Sequence, residues 1–128
     1  MIWRAVIQGQ LVSKSNSRRL VNRGRRPMII KSANALDWIA KGAMQVQRRR
    51  PRQPIEADVA MTAIIYYQSR RSDLDESLLM DGLQAWGIIK NDRQIREKHI
   101  YGYVDKVRPR VVVSLQPIDD EWEVPIAD

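Results

Sequence analysis

The amino-acid sequence predicts a single α+β domain in which a mixed β-sheet carries two main α-helices. Its 128 residues suffice for one hydrophobic core but hardly for two. Short apolar or alternating runs, typical of strands, flank two longer segments in which apolar residues recur every three or four positions, typical of helices. We expect a folded domain over residues 1–116 and an acidic, loosely ordered tail over residues 117–128.

The first quarter of the chain predicts a strand, a basic hairpin and the start of a helix. Residues 2–8 alternate as a strand does, and Gly9 ends the run. The polar, basic segment 13–26 predicts a loop or hairpin that turns at Asn22-Arg23-Gly24, before a short strand over 27–30. Ser32 is the expected N-cap of a helix that runs to about Arg48. Its expected apolar face comprises Leu36, Ile39, Ala40, Ala43, Met44 and Gln47.

The middle of the chain predicts a central strand followed by a second helix. Residues 59–67 are apolar at both alternating positions, which is typical of a strand covered on both faces. A helix from about Asp75 to Trp86 follows, and Gly87 is placed to end it. Its expected apolar stripe comprises Leu74, Leu78, Leu79 and Leu83. Residues 98–104 and 110–115 predict two further strands.

The net charge of +7 is unevenly distributed and indicates a polyanionic partner. Residues 1–52 hold 13 Lys and Arg against one acid, whereas residues 53–128 hold 9 against 14 acids. A basic part can attract phosphate while a second part supplies carboxylates, a combination that favours an enzyme acting on nucleic acid over a passive binder. The basic residues expected to contact phosphate in segment 13–26 are Lys14, Arg18, Arg19, Arg23, Arg25 and Arg26.

Composition also limits the chemistry and the location. The chain has no cysteine and a single histidine, His99, so a thiolate zinc site and a multi-histidine site are excluded. A bound metal would need oxygen ligands, which favours magnesium, with manganese as an alternative. No apolar run approaches a membrane span and no signal-peptide pattern is present, so we expect a cytoplasmic protein without a membrane partner.

An acidic cluster lies between the central strand and the second helix. Asp73, Asp75 and Glu76 occupy four positions and repel one another unless a cation neutralises them. A divalent metal does so, while the flanking Arg70 and Arg71 offset the charge and are equally suited to holding a phosphate. The competing interpretation is that Asp73 or Asp75 caps the following helix and the rest is a solvated turn.

A third aspartate, Asp92, follows the second helix. If that helix packs against the sheet, the next loop can return toward the end of the central strand and place Asp92 beside Asp73 and Asp75. Three carboxylates would then face one point and could hold one or two magnesium ions. Asp73, Asp75 and Asp92 are therefore candidate metal ligands, and such ions would lower the pKa of the attacking water in phosphodiester hydrolysis.

At these residues the sequence resembles the RusA-type Holliday-junction resolvases. The matching segments are Arg71-Ser72-Asp73-Leu74-Asp75, Met80-Asp81-Gly82-Leu83, Gly87-Ile88-Ile89 and Asn91-Asp92-Arg93-Gln94-Ile95, with Ser13-Lys14-Ser15-Asn16 similar to the family's N-terminal segment. The resemblance spans about residues 1–116. It implies a homodimeric, magnesium-dependent endonuclease that binds four-way DNA junctions and cuts two strands symmetrically in recombination and repair, often in prophages. The resemblance also implies that Asp73, Asp75 and Asp92 are the catalytic aspartates, and Asn16 joins the DNA-binding residues on this basis.

The chain departs from the family pattern at three points. Glu76 stands where the family has Asn, and Asn91-Asp92 stands where it has two aspartates. Ser77, Leu78 and Leu79 occupy the stretch in which the family carries a lysine, so Lys90, Arg71 and Lys14 are the candidates to replace it. Two alternatives stay open: a junction-binding protein with weakened or lost catalysis, and a nuclease with broader specificity for branched DNA.

Overall fold

A computed structural model describes residues 2–13, 18–24 and 26–118. The elements, in chain order, are β1 (Trp3–Gln8), β2 (Arg18–Arg23), β3 (Arg26–Lys31), α1 (Ala33–Val46), β4 (Val59–Tyr67), α2 (Ser77–Ala85), β5 (Ile95–Val104) and β6 (Arg110–Pro117). Two short 3-10 turns, Gln47–Arg49 and Asp92–Gln94, extend α1 and precede β5. The predicted strands and helices are therefore all present.

Four strands form one mixed sheet in the order β1-β6-β4-β5. β4 pairs in parallel with β5 and antiparallel with β6, which in turn pairs antiparallel with β1. β2 and β3 form a separate antiparallel hairpin that turns at Gly24, whose φ of 67° suits a glycine. The mixed sheet with two helices confirms the predicted α+β class.

Both helices bury their apolar side chains in the one core, on the same face of the sheet. The side chains of β4 that point to this face are fully buried, and they alternate with partly exposed ones. The core-facing residues of the sheet include Trp3, Ala5, Ile7, Val59, Met61, Ala63, Ile65, Tyr67, Val111, Val113 and Leu115.

The prediction that β4 is covered on both faces is wrong within the described residues. Ala60, Thr62, Ile64 and Tyr66 are only partly buried, because neither helix lies on their side of the sheet. The continuous apolar run of β4 therefore does not indicate two covering layers here. Among the described residues, nothing covers the second face of the sheet, which is partly apolar.

The predicted apolar face of α1 is wrong except at Ile39, which packs against the core. Ser32 caps the helix as expected, since its Oγ accepts a hydrogen bond from the Ala35 N–H at 3.2 Å. However, Leu36 and Met44 are 54% and 77% exposed, and the buried residues are Ala35, Trp38, Gly42 and Val46. Contact between two tryptophans decides the orientation: the Trp38 and Trp86 ring centroids lie 5.5 Å apart.

Small residues make room for this tryptophan pair. A Cβ atom at Gly82 would lie 2.8 Å from Trp86 Cη2, and one at Gly42 would overlap the same indole. Trp86 Nε1 donates a hydrogen bond to the Ile39 carbonyl of α1 at 2.8 Å. The Trp86 indole thus packs between Gly42 of α1 and Gly82 of α2 and holds the two helices together.

The second helix agrees with its predicted stripe except at its start. Leu78, Leu79 and Leu83 are buried, but Leu74 precedes the helix and is 48% exposed. The helix begins at Ser77 rather than at Asp75, and it ends before Gly87, whose φ is 73°. The positive φ at Gly87 terminates the helix as expected.

The C-terminal end of the domain lies slightly beyond the predicted boundary. Pro117 is the last residue of β6, and the Ile118 N–H donates to the Asp58 carbonyl at 2.8 Å. The rest of the predicted tail, 119–128, falls outside the described residues, so its expected looseness is untested. No helix in the described ranges combines the length and apolar character needed to cross a bilayer.

We expect Gly42→Ala to destabilise the protein by about 1–3 kcal/mol, because the added methyl group overlaps the Trp86 indole. Helix propensity alone predicts the opposite sign, a gain of up to about 1 kcal/mol. Urea denaturation measures the difference, with Ala43→Ser on the exposed side of α1 as the control for adding one heavy atom. Increased stability of Gly42→Ala would show that Trp86 does not occupy this position.

Candidate active site

The acidic segment 73–76 connects the end of β4 to α2. The Asp75 N–H donates a hydrogen bond to Tyr67 Oη at 3.1 Å, which anchors the segment to the last residue of β4. Asp75 Oδ1 accepts from the Ser77 N–H at 3.0 Å and from Ser77 Oγ at 2.6 Å. Asp75 therefore forms a local turn with Ser77, the first residue of α2, but it does not cap the helix: the N-cap is Glu76, whose side chain makes no capping hydrogen bond.

Three carboxylates influence the pKa of the Tyr67 hydroxyl. Burial raises the pKa of Tyr67, and the negative charges of Asp75, Glu76 and Asp73 raise this pKa further, whereas the hydrogen bond from Asp75 lowers it. All three acids are thus close enough to Tyr67 to disfavour its ionisation.

The segment then runs back along β5. A Cβ atom at Gly102 would lie 3.0 Å from Leu74 Cδ1, so Leu74 packs directly over that glycine. Glu76 forms an ion pair with Lys98, Nζ to Oε1 3.3 Å, and Lys98 is paired in the sheet with Met61 near the start of β4. Sequence reasoning did not identify Lys98 as a partner of this segment, since alternation in a strand does not reveal a contact to a residue 22 positions away.

Asp92 lies in the 3-10 turn before β5. Its N–H donates to Gln84 Oε1 near the end of α2 at 3.2 Å, and its side chain is exposed. Asn91 caps the turn, because its Oδ1 accepts from the Arg93 N–H at 2.9 Å. The turn therefore presents Asp92 to solvent on a hydrogen-bonded support.

Gln94 holds that turn in place and was not singled out by sequence reasoning. It is the buried polar residue among those described, with Oε1 accepting from the N–H groups of Lys90 and Asn91, both at 2.8 Å. Its Nε2 donates to the carbonyls of Ile55 and Ala57, at 2.6 Å and 3.0 Å. Four hydrogen bonds satisfy the side-chain amide and tie the Asp92 turn to the segment that enters β4.

The expectation that Asp92 returns to the end of the central strand is wrong. β5 runs parallel to β4, and its first residue, Ile95, pairs with Val59, the first residue of β4. A parallel connection must return the chain to the starting edge of the strand, so Asp92 lies at the opposite end of β4 from Tyr67. Asp75 lies just before α2, whereas Asp92 contacts Gln84 near the end of α2. The helix that separates the two aspartates along the chain is about 13 Å long.

The donor chemistry of these acids fits magnesium or manganese, although the structure does not gather three of them at one point. Among the described residues, no group of three or more His, Asp and Glu side chains is placed to hold one metal ion. Asp73 and Asp92 are exposed and make no ion pair or side-chain hydrogen bond with another described residue. Their oxygens are of the type that hard divalent cations prefer, and the metal site remains a prediction.

The predicted DNA-binding residues divide into three groups. Arg19, Arg70 and Arg71 are exposed, and Lys90 is exposed but forms an ion pair with Glu56 at 3.1 Å. The structure describes the backbone but not the side chains of Arg18, Arg23 and Arg26 in the hairpin. Lys14, Asn16 and Arg25 lie outside the described residues.

Comparison with known proteins gives one related sequence. The chain is 26% identical over 92 residues to the crossover junction endodeoxyribonuclease RusA of Aquifex aeolicus (strain VF5). The matched region covers 70% of this chain and 73% of the relative. No protein-family model matches the sequence. The chain is therefore similar to RusA over most of both proteins, at a modest level of identity.

Proposed function

We propose that the protein is a magnesium-dependent, structure-specific endonuclease that resolves four-way DNA junctions by paired, symmetric hydrolysis. The observation that carries this proposal is the acidic segment 73–76 around Tyr67, which exposed arginines 70 and 71 immediately precede. Carboxylates beside phosphate-binding cations are what phosphodiester hydrolysis in DNA requires. The similarity to RusA supports junction DNA as the substrate.

In this proposal Asp73 and Asp75 hold the metal, and Asp92 joins them when metal binding draws segment 73–76 and the Asp92 turn together, since the two lie apart in this structure. Segment 73–76 runs along β5 toward the end at which Asp92 lies, as the Glu76–Lys98 ion pair indicates. Mutual repulsion keeps carboxylates apart, and a divalent cation offsets it. A bound ion would lower the pKa of the attacking water and stabilise charge on the scissile phosphate.

The other residues of the site have supporting roles in this proposal. Gln94 keeps the Asp92 turn fixed through four hydrogen bonds. The Tyr67 hydroxyl accepts the Asp75 N–H and so positions the backbone between the two aspartates. Lys98 is the lysine that lies beside the acids, whereas Lys90 pairs with Glu56, so Lys98 is the better candidate for the role of the family lysine.

We further propose that the protein acts as a two-fold dimer that pairs through the open face of the sheet. A continuous row of apolar side chains crosses all four strands on this face, in the paired order Val6, Val112, Ile64 and Tyr101. Val6 and Tyr101 are about half exposed, at 46% and 47%. With strands about 4.8 Å apart, this row is about 14 Å long.

Self-complementarity favours a second copy of the chain as the occupant. If a two-fold axis runs along the strands, the apolar row of one copy lies on that of the other, with Val6 opposite Tyr101. Arg4 then faces the hydrogen-bonded pair of His99 and Glu97, whose side chains lie 2.8 Å apart. Two active sites related by the same axis would suit paired cuts in a two-fold symmetric junction.

A junction-binding protein without catalysis is the second candidate. The observation that favours it is that no three-carboxylate group forms among the described residues. It predicts junction binding with or without magnesium and no cutting in either magnesium or manganese. A nuclease with broader specificity would instead cut flaps and other branched DNA as well as it cuts junctions.

The first prediction concerns catalysis. Asp73→Asn and Asp92→Asn should each lower magnesium-dependent junction cutting by at least about 100-fold, because each removes a charged metal ligand. Junction binding should be retained or tighter, since less negative charge then faces the phosphate. Cutting and binding of a labelled four-way junction are measured with magnesium and with chelator. Asp37→Asn, which removes an exposed ion pair with Lys41, is the control and should cut normally. Normal cutting by Asp73→Asn or Asp92→Asn would refute the proposed site.

The second prediction concerns the arginines. The double variant Arg70→Gln and Arg71→Gln should bind both junction and linear duplex more weakly. The slope of log affinity against log salt should become shallower by about two, since each lost phosphate contact reduces the slope by about one. Fluorescence anisotropy at several salt concentrations gives the slope. Lys41→Gln is the control and should leave the slope unchanged. An unchanged slope in the double variant would show that Arg70 and Arg71 do not contact the DNA.

The third prediction concerns the dimer. Tyr101→Glu should make the protein monomeric, because it places two carboxylates against apolar surface, whereas Val6→Lys combined with Tyr101→Glu should restore the dimer. Sedimentation velocity measures the mass of each variant. Met44→Glu, on the exposed face of α1, is the control and should not change it. A dimeric Tyr101→Glu variant, or a wild-type monomer, would contradict pairing through this face.

A further inference from the structure

A cavity of about 470 Å³ lies beside the acidic segment, at the end of the sheet where β4 and β5 finish. Its volume falls within the range of small-ligand sites, which is about 300–1,000 Å³. The chain segment between β4 and α2 forms one wall, and the last residues of β5 form the other. Leu74 and Tyr67 belong to the side of the sheet that carries the helices, and Tyr103, which stacks on Tyr66 on the open face, also lines the cavity, so the cavity lies at the β5 edge and borders both faces.

The lining combines an apolar part with a polar, cationic part. Leu74, Gly102 and Val104 supply the apolar surface, and the absent side chain at Gly102 lets Leu74 lie flat against the strand. Ser69, Arg70 and Ser72 supply hydroxyl groups and an exposed guanidinium. An apolar surface beside phosphate-binding donors matches the two chemical parts of a nucleotide, its base and its phosphate.

The edge of the sheet adds a further feature of this cavity. β5 has one neighbour in the described sheet, β4, so the outer backbone N–H and C=O groups of residues 102–104 have no strand partner. Such groups can bond to the edge of a base that is not paired in a duplex. A stacked base pair presents no free Watson–Crick edge, so the cavity favours an unpaired nucleotide over an intact duplex.

The position of the cavity connects it to the proposed cutting site. Ser72 and Leu74 both line it and are the two sequence neighbours of Asp73. A nucleotide in the cavity would therefore lie within about one nucleotide of the proposed metal ligands. Strand exchange at a branch point is where DNA exposes unpaired or weakly stacked bases, which cost least to extract from the helix.

We propose that this cavity binds one unpaired nucleotide at the branch point of the DNA and thereby determines which bases are cut. The inference rests on the proposed nuclease function and deepens it. Base selection would come from the fit of the base between Leu74 and the β5 edge, while Arg70 and the serines hold the adjoining phosphate. The same site in a protein without catalysis would still bind the nucleotide.

The test uses variants at Leu74, which is half exposed and lies outside the core. Leu36→Ala is the matched control, because Leu36 is a half-exposed leucine on α1. Leu74→Trp closes the cavity and Leu74→Ala enlarges it. A four-way junction with a mobile core that samples every dinucleotide is cut by each variant, and the cut positions are mapped. Wild type and Leu36→Ala should favour the same few positions, whereas both Leu74 variants should reduce that preference by about tenfold.

A second readout is independent of cutting. A junction with 2-aminopurine at the branch point is titrated with each protein in chelator, and anisotropy and 2-aminopurine fluorescence are recorded together. Wild type and Leu36→Ala should change the fluorescence on binding, and Leu74→Trp should bind with similar affinity without that change. Circular dichroism confirms that each variant is folded, and Leu74→Ala replaces Leu74→Trp if the larger side chain disrupts folding.

The outcomes separate the two proposals. Unaltered cut positions and an unaltered fluorescence change in both Leu74 variants would overturn the nucleotide site while leaving the nuclease intact. A fluorescence change that depends on Leu74, without cutting by any variant, would support the site and overturn catalysis. Failure of the wild-type protein to bind the junction would overturn both.

Discussion

The parallel pairing of β4 with β5 is the constraint on which the rest of the molecule depends. Nine residues of β4 pair in parallel with β5, so the chain leaving β4 has to travel back along the sheet before β5 can begin. That return comprises the acidic segment, α2 and the Asp92 turn. It places Asp73 and Asp75 before the helix and Asp92 after it, and Gln94 fixes the far end by bonding to the segment that enters β4.

Charge organises the site as much as topology does. The acids around Tyr67 sit in a protein whose net charge is +7, and the nearby cations come from different elements: arginines 70 and 71 from the loop, and Lys98 from β5. Lys98 offsets Glu76, whereas Asp73 and Asp92 have no ion-pair partner among the described residues. The two aspartates proposed as metal ligands are thus among the carboxylates without an ion-pair partner in the described part of the chain.

Covering the sheet on one face only has consequences for both surfaces. On the helix side, the tryptophan pair and its glycines hold α1 and α2 together, and the acidic segment borders a cavity at the end of β5. On the other side, an apolar row is left half exposed. Beside this row, the Tyr66 and Tyr103 rings stack with their centroids 5.7 Å apart, and the Arg110 guanidinium lies 3.9 Å from the Tyr66 ring centroid. Catalysis and dimerisation are therefore proposed on opposite faces of one thin sheet.

The sequence by itself determined the class of fold, the order of the elements and the identity of the acidic cluster. These features follow from local causes: the apolar period of each segment, the Ser32 cap, the positive φ that glycine allows at position 87, and the spacing of Asp73, Asp75 and Glu76. The resemblance to RusA-type resolvases was carried by the same local segments, and comparison supports it at 26% identity.

Only the tertiary structure decided which faces are buried, where Asp92 lies and what holds it. The buried face of α1 depends on Trp38 meeting a tryptophan 48 residues away, which helical periodicity alone does not specify. The position of Asp92 depends on whether β5 pairs in parallel or antiparallel with β4, and side chains point alternately to the two faces in strands of either kind. Gln94 and Lys98 gain their roles from partners 22 to 39 residues distant, so non-local contacts, rather than residue type, define them.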